Sequence, residues 1–195
     1  MNTKVIAGGA LAAAVIYFVL TVYVLPQPYS LTLAPPKPSP VITSVSLSDP
    51  VIALGSEFSI RVSAANRGDP ADLQLVSVAF PNATRTDIIT INDHNFKQTP
   101  FFIEQGNTIG AGYTGTQRTV LANYPAVEAV SRPWEPGEAF NIDISVRPES
   151  EGRFVVFVKA VGLPHNGDQA HYPDAGVVDQ QDEYVAVYEV QVTKP

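Results

Sequence analysis

The chain predicts an all-β fold, an antiparallel β-sandwich of seven to nine strands, preceded by one N-terminal transmembrane helix. Three observations carry that expectation. The run Val5–Leu25 has no charged side chain. After the proline-rich stretch that follows it, apolar residues recur at every second position between turn signals. Beyond Pro26 no segment sustains a 3.6-residue apolar period over three turns. Composition agrees: 45% of the 195 residues are apolar, yet 16% are charged, well under the usual quarter.

The N-terminal segment reads VIAGGALAAAVIYFVLTVYVL. As an α-helix it would be about 31 Å long, the hydrocarbon thickness of a bilayer. Tyr17 and Tyr23 fall toward its outer end, where amphipathic rings favour the interface. Lys4 and the amino terminus flank the short side, and the next cation on the far side is Lys37. That bias places the N-terminus in the cytoplasm and the C-terminal domain outside the cell membrane. A cleaved signal peptide would need a shorter apolar core ending in a small-x-small site. Here Ala12-Ala13-Ala14 lies in mid-run, so a retained single-pass anchor is expected. Trimming near Gly8-Gly9, as in archaeal pilin-type precursors, would leave the helix intact. Gly8 and Ala12 form a small-xxx-small pair, the spacing that lets membrane helices approach closely, and are candidates for helix packing.

Residues 26–40 contain six prolines, a composition that adopts extended polyproline II. The segment reads as a stiff stalk reaching up to about 45 Å. Beyond it, 41–195 forms the outer domain. Val45 and Leu47 open the alternation, and Phe58, Ile60, Val62 and Ala64 continue it. Leu75–Phe80 and Asp87–Ile91 are further strand candidates. Phe140, Ile142, Ile144 and Val146 alternate cleanly, Phe154–Val161 is apolar on both faces, and Tyr184–Val192 closes the chain. Asp49-Pro50, Leu54-Gly55-Ser56, Asn66-Arg67-Gly68-Asp69-Pro70, Pro136-Gly137 and Glu151-Gly152 supply the turns. The single Trp134 is expected in the core. Residues 92–132 break the rhythm and read as a long insertion at the sandwich edge.

Two stretches carry a resemblance. Residues 45–72 follow apolar-x-Leu-Ser-Asp-Pro, then Leu-Gly-x-Glu-Phe-x-Ile-x-Val-x-Ala-x-Asn-x-Gly-Asp-x-Ala-Asp. Residues 134–156 read Trp-x-Pro-Gly-Glu-x-Phe-x-Ile-x-Ile-x-Val-x-Pro-Glu-x-Glu-Gly-x-Phe-Val-Val. Both resemble the opening and closing strands of immunoglobulin-like modules of the CARDB and related surface-layer type, in an archaeal-type, membrane-anchored setting. The resemblance spans most of 41–192 and departs from the family over 92–132. It implies an immunoglobulin-like sandwich and no chemistry, because the shared residues specify strands and turns.

Charge and residue usage exclude several functions. All nineteen Asp and Glu, and eleven of the twelve Lys and Arg, follow the apolar segment, leaving the remainder at −8. An anionic domain without a basic stripe does not bind nucleic acid. Zero cysteines exclude disulfides, thiolate metal sites, cysteine nucleophiles and lipidated cysteines. No Gly-x-Ser-x-Gly or His-Glu-x-x-His motif occurs, so no enzyme is expected. Gly110-Ala111-Gly112-Tyr113-Thr114-Gly115 lacks the lysine and helix of a phosphate loop.

Three places remain where chemistry or contact can reside. Phe96, Phe101, Phe102, Tyr113 and Tyr124 make 92–132 rich in aromatics, a candidate contact surface. In 163–183, His165, Asp168, His171 and Asp174 recur every third residue, with Asp179, Asp182 and Glu183 behind them and no Lys or Arg. Imidazoles with carboxylates suit a transition metal, and carboxylates alone suit Ca²⁺, although the bland reading is an acidic solvated loop without cofactor. His94, beside Asp93, would join such a site if the loops meet. Asn82-Ala83-Thr84 is a glycosylation sequon.

The function expected from these residues is a non-enzymatic, membrane-anchored extracytoplasmic module that contacts cell-envelope proteins. The alternative is an accessory single-pass subunit of a larger membrane complex, of the oxidase or surface-filament stator type. A second alternative is a metal-binding protein using the 163–183 loop.

Overall fold

A computed structural model of the chain describes residues 37–109, 120–164, 170–180 and 182–195, the side chains of 170–172 excepted. The expected anchor with Gly8 and Ala12, the stalk up to residue 36, Tyr113, His165 and Asp168 lie outside the described residues. The described chain belongs to a compact unit running from Pro35 to Pro195. In chain order its strands are β1 Pro40–Leu47, β2 Val51–Ala53, β3 Phe58–Asn66, β4 Leu73–Ala79, β5 Ile89–His94, β6 Phe101–Ile103 and β7 Thr108–Ile109. There follow β8 Val120–Leu121, β9 Ala126–Ser131, β10 Ala139–Val146, β11 Gly152–Leu163, β12 Ala170–Tyr172, β13 Val177–Val178 and β14 Tyr184–Thr193. The described residues contain no helix, and so none long and apolar enough to cross a membrane.

Alternation builds the smaller sheet, ordered β1-β3-β10-β5. Strand β3 buries Phe58, Ile60, Val62 and Ala64 and turns the residues between them outward. Its neighbour β10 does the same with Phe140, Ile142, Ile144 and Val146, in antiparallel register Ile142 to Val62 and Ile144 to Ile60. A period of two puts both sets on one face, and the larger sheet packs against it. That sheet runs β13-β14-β11-β4-β9-β6, with β12 alongside β11 and β2 parallel to β14. The two ladders match the ABED and GFC sheets of the immunoglobulin-like sandwich, with β1, β3, β10 and β5 forming one and β14, β11 and β4 the core of the other. All seven strand candidates read from the sequence have a counterpart, in β1, β3, β4, β5, β10, β11 and β14.

The core shows how the fold closes without cysteine. In immunoglobulin domains a disulfide links the B and F strands across the sandwich. Here Phe58 on β3 meets Phe154 on β11 edge-to-face, centroids 5.7 Å apart, and Phe80 adds a third ring 6.4 Å from Phe154. Trp134 is fully buried, packs on Phe140 at 4.9 Å, and donates its indole N–H to the Glu138 carbonyl at 2.7 Å. Asn66 is fully buried as well. Its Oδ1 accepts the Ser39 and Gly68 N–H groups, while its Nδ2 donates to the Asp69 and Trp134 carbonyls. This one side chain ties the entry to β1, the turn after β3 and the tryptophan together. Gly68 is required beside it, because a Cβ there would stand 2.3 Å from the Lys37 carbonyl oxygen.

The described residues of 92–132 contribute strands to both sheets. The first of them complete β5 in the small sheet, and Ala126–Ser131 is β9, an inner strand between β4 and β6. Every residue of β9 is buried, so its sequence, AVEAVS, shows no alternation to read.

Candidate functional site

Strand register assembles a polar row on the face of the large sheet that points away from the core. Val127 and Ala129 of β9, Val76 and Val78 of β4, and Val158 and Ala160 of β11 face inward. The residues between them therefore face outward, and register sets Glu128, Ser77 and Lys159 side by side across three strands. Outward residues of an antiparallel sheet usually meet water. These three do not, each being 5% exposed.

Two segments roof the row. One is the β7–β8 region, whose Ile109 and Ala122 pack with Ala79, Ile103 and Ala126 beneath them. The other is the turn joining β13 to β14. The Asn123 N–H donates to Gln180 Oε1 at 2.6 Å and links the two roofs. Tyr124 lies between them with its ring edge-on to Phe157 at 5.9 Å. Burial, and then the negative charge of Asp179, push the Tyr124 phenol up to about 12, against a backbone hydrogen bond at Gln180 that works the other way.

The β13–β14 turn is shaped to present two carboxylates to one amine. Asp179 and Glu183 stand at its two ends: the Asp179 N–H donates to the Glu183 carbonyl at 2.8 Å, and the Glu183 N–H donates to Asp179 Oδ1 at 3.1 Å. Asp182, in the left-handed region with φ 62°, allows the reversal. Lys159 Nζ then lies 2.5 Å from Asp179 Oδ2 and 2.7 Å from Glu183 Oε2. The three side chains are 6%, 6% and 9% exposed. A cavity of about 20 Å³ borders the group, lined by Ser77, Tyr124, Glu128, Lys159 and Asp179 among others. It has room for about one water.

Of the anticipated metal-site residues, the structure describes Asp174, the backbone of His171, and His94. Asp174 is exposed at the surface, and the backbone of His171 pairs with Val161 in the β11–β12 ladder. His94 sits on the small sheet opposite Ile142, whereas Asp179 and Glu183 stand in the turn between β13 and β14 of the large one. Among the described residues no group of three His, Asp or Glu is arranged to hold a metal ion. Of the aromatics, Phe96 is a core residue and not a surface one: it is 6% exposed and stacks on Phe140 at 5.1 Å. Tyr124 belongs to the roof. Phe101 and Phe102, 43% and 41% exposed, lie on β6, where the described ladder of the large sheet ends. Asn82 is exposed, and its Oδ1 accepts the Val155 N–H at 2.7 Å.

Lys159 went unnoticed in the sequence, although two signals pointed to it. A single cation stands inside the otherwise apolar FVVFVKAVGL, and lysine is almost never fully buried without a partner. Downstream lies an acidic segment with no cation of its own. Each imbalance is the other's answer.

A second hollow, of about 500 Å³, opens near Leu54, Arg85 and Arg147. Its charges answer one another, through Arg85 with Asp87 at 2.9 Å and with Glu149, and through Arg147 with Glu57 at 2.5 Å.

Comparison with known proteins finds distant structural likenesses alone. No known sequence family matches the chain, and no curated protein does. Among solved structures it is similar to a CARDB domain from Pyrococcus furiosus in complex with di-metal ions, 12% identical, covering 86% of this chain and 97% of that one at a TM-score of 0.38. An uncharacterised Nocardia farcinica protein with an immunoglobulin-like fold is also 12% identical, over 75% and 97%, with a TM-score of 0.41. A cohesin–dockerin complex from Clostridium thermocellum gives 6% identity over 80% and 99%, with a TM-score of 0.38. Likenesses at this level transfer no function, and the fold assignment rests on the ladder itself.

Proposed function

We propose that the chain is a non-enzymatic binding and structural module, held outside the cell membrane by Val5–Leu25 and its proline stalk, which contacts envelope proteins. One observation carries the contact reading: Phe101 and Phe102 are exposed neighbours on β6, the strand that ends the described ladder of the large sheet. An edge strand offers unpaired backbone groups, and adjacent aromatics supply contact area on both of its faces. The uncharged N-terminal run supports the location. Solubilising native membranes in mild detergent and capturing the full chain tests this. An envelope protein should accompany the wild type and be lost from the Phe101→Ser/Phe102→Ser variant. Equal recovery with both chains, or capture of the chain alone, defeats the reading.

The accessory-subunit alternative is favoured by the Gly8–Ala12 pair. In that case Gly8→Leu/Ala12→Leu, and not the β6 variant, strips the partner away.

A further inference from the structure

We propose that Lys159 and Asp179 are joined by an intramolecular amide bond, with Glu183 carrying the proton that its formation moves. The inference is independent of the module's partner. Three features of the site support it. The amine nitrogen and the carboxylate oxygen are 2.5 Å apart, and both side chains are 6% exposed. That contact brings the amine against the carboxyl group whose carbon it attacks; well-oriented reactants in contact behave as if at an effective concentration of about 10⁵ M or more, and a roof that limits water opposes the reverse hydrolysis. The second carboxylate lies 2.7 Å from the same nitrogen. Condensation also replaces the buried charges of Lys159 and Asp179 with one neutral amide, whose remaining N–H can donate to the Glu183 carboxyl 2.7 Å away.

The atoms balance without a co-reactant. Proton transfer within the ion pair gives a neutral amine and a carboxylic acid protonated on Asp179 Oδ2. Lys159 Nζ attacks Asp179 Cγ, forming the C–N bond, and negative charge develops on Oδ1. That oxygen already accepts the Glu183 N–H at 3.1 Å, which acts as an oxyanion donor. The Glu183 carboxylate takes a proton from the nitrogen and passes it to Oδ2. The Cγ–Oδ2 bond breaks and one water leaves; nothing is oxidised or reduced. The adjoining cavity, about 20 Å³, accommodates that water.

Peptide mapping of the purified full chain tests the bond. Trypsin cuts after Arg153 and, where its amine is free, after Lys159; no further Lys or Arg occurs until Lys194. With the bond in place, a single peptide runs from Phe154 to the C-terminus, lighter than its sequence by one water. Its fragment ions join Lys159 to Asp179. Separate 154–159 and 160–195 peptides at sequence mass mean an ion pair only and overturn the proposal. A link ending on Glu183 overturns the assignment to Asp179. Glu183→Gln should restore cleavage at Lys159 while circular dichroism still reports a β-sandwich, and a Glu183→Gln chain that remains linked removes Glu183 from the chemistry. The wild-type measurement needs no variant, so a variant that fails to fold leaves the test intact.

Discussion

Arg61 and Lys159 both answer carboxylates on the outward face of a sheet, yet they stand in opposite surroundings. Arg61 on β3 reaches across to Asp143 on β10 at 2.6 Å, with its own side chain 65% exposed. Around it Ser59, Ser145 and Asn92 complete a polar face in contact with solvent. Lys159 occupies the equivalent position on the large sheet, but two chain segments roof it and its exposure falls to 6%. The same alternation thus yields a wet face in one sheet and a dry one in the other. Water solvates the first set of charges whether or not they pair. The second set has no such fallback, so its pairing is a condition of folding.

The largest consequence falls on the dry side. Lys159→Met removes the ammonium from two buried carboxylates and should destabilise the Pro35–Pro195 unit by about 3–5 kcal/mol in urea unfolding. For the ion pair, the triple variant Lys159→Met/Asp179→Leu/Glu183→Leu should recover most of the loss, since apolar groups of similar volume can replace a buried charge cluster at little cost. If the amide is present, the wild type has no ammonium to lose and Lys159→Met instead forfeits the cross-link, whose chain-entropy contribution over the 159–179 loop is about 3 kcal/mol and is not recovered by the apolar triple variant. A single variant as stable as the wild type would show that water reaches the site and would erase the contrast between the faces.

The contrast also explains what could be read from sequence. Strands β3 and β10 announced themselves because one of their faces is wet, and a wet face forces polar residues into every second position. Strand β9 has no wet face. Its AVEAVS shows no period, and its charged residue, Glu128, is buried. Phe96 lies just beyond β5, where the rhythm of the sequence breaks, yet it returns to the core beside Trp134. The candidate site was half visible. The acidic run was plain, but its cation is twenty residues away on β11, and register, which sequence spacing does not express, brings the two together.

Tyr124 offers a smaller effect that reports on the roof directly. Its phenol is held at about 12 in the folded chain, against 10.0 for an ordinary tyrosine. A raised acid of this kind stabilises the fold fully below about pH 10, and that contribution is lost as pH rises through about 12. Tyr124→Phe keeps the ring against Phe157 and should reduce the alkaline fall in stability across this window. Amide formation would remove the Asp179 charge and leave burial as the cause of the raised phenol, so wild type and Asp179→Asn would titrate alike by absorbance, whereas an ion pair predicts an earlier titration in Asp179→Asn. Superimposable pH profiles for wild type and Tyr124→Phe would mean that the roof opens to solvent.

The smallest effect completes the comparison from the wet side. Arg61→Ala removes a cross-strand guanidinium whose hydrogen bonds to Asp143 run from both Nε and Nη2. Exposed pairs of this kind contribute about 0–1 kcal/mol, because water competes for each charge and the long side chain loses rotamer freedom in pairing. Asp143 retains a hydrogen bond from Asn92 Nδ2 at 2.9 Å and is not left without a donor. Urea unfolding of Arg61→Ala should therefore lie within about 1 kcal/mol of the wild type, and the difference should shrink further in high salt. A loss as large as that of Lys159→Met would place the Arg61 face against something other than water, and the exposed side of the small sheet would then be a covered surface in the assembled protein.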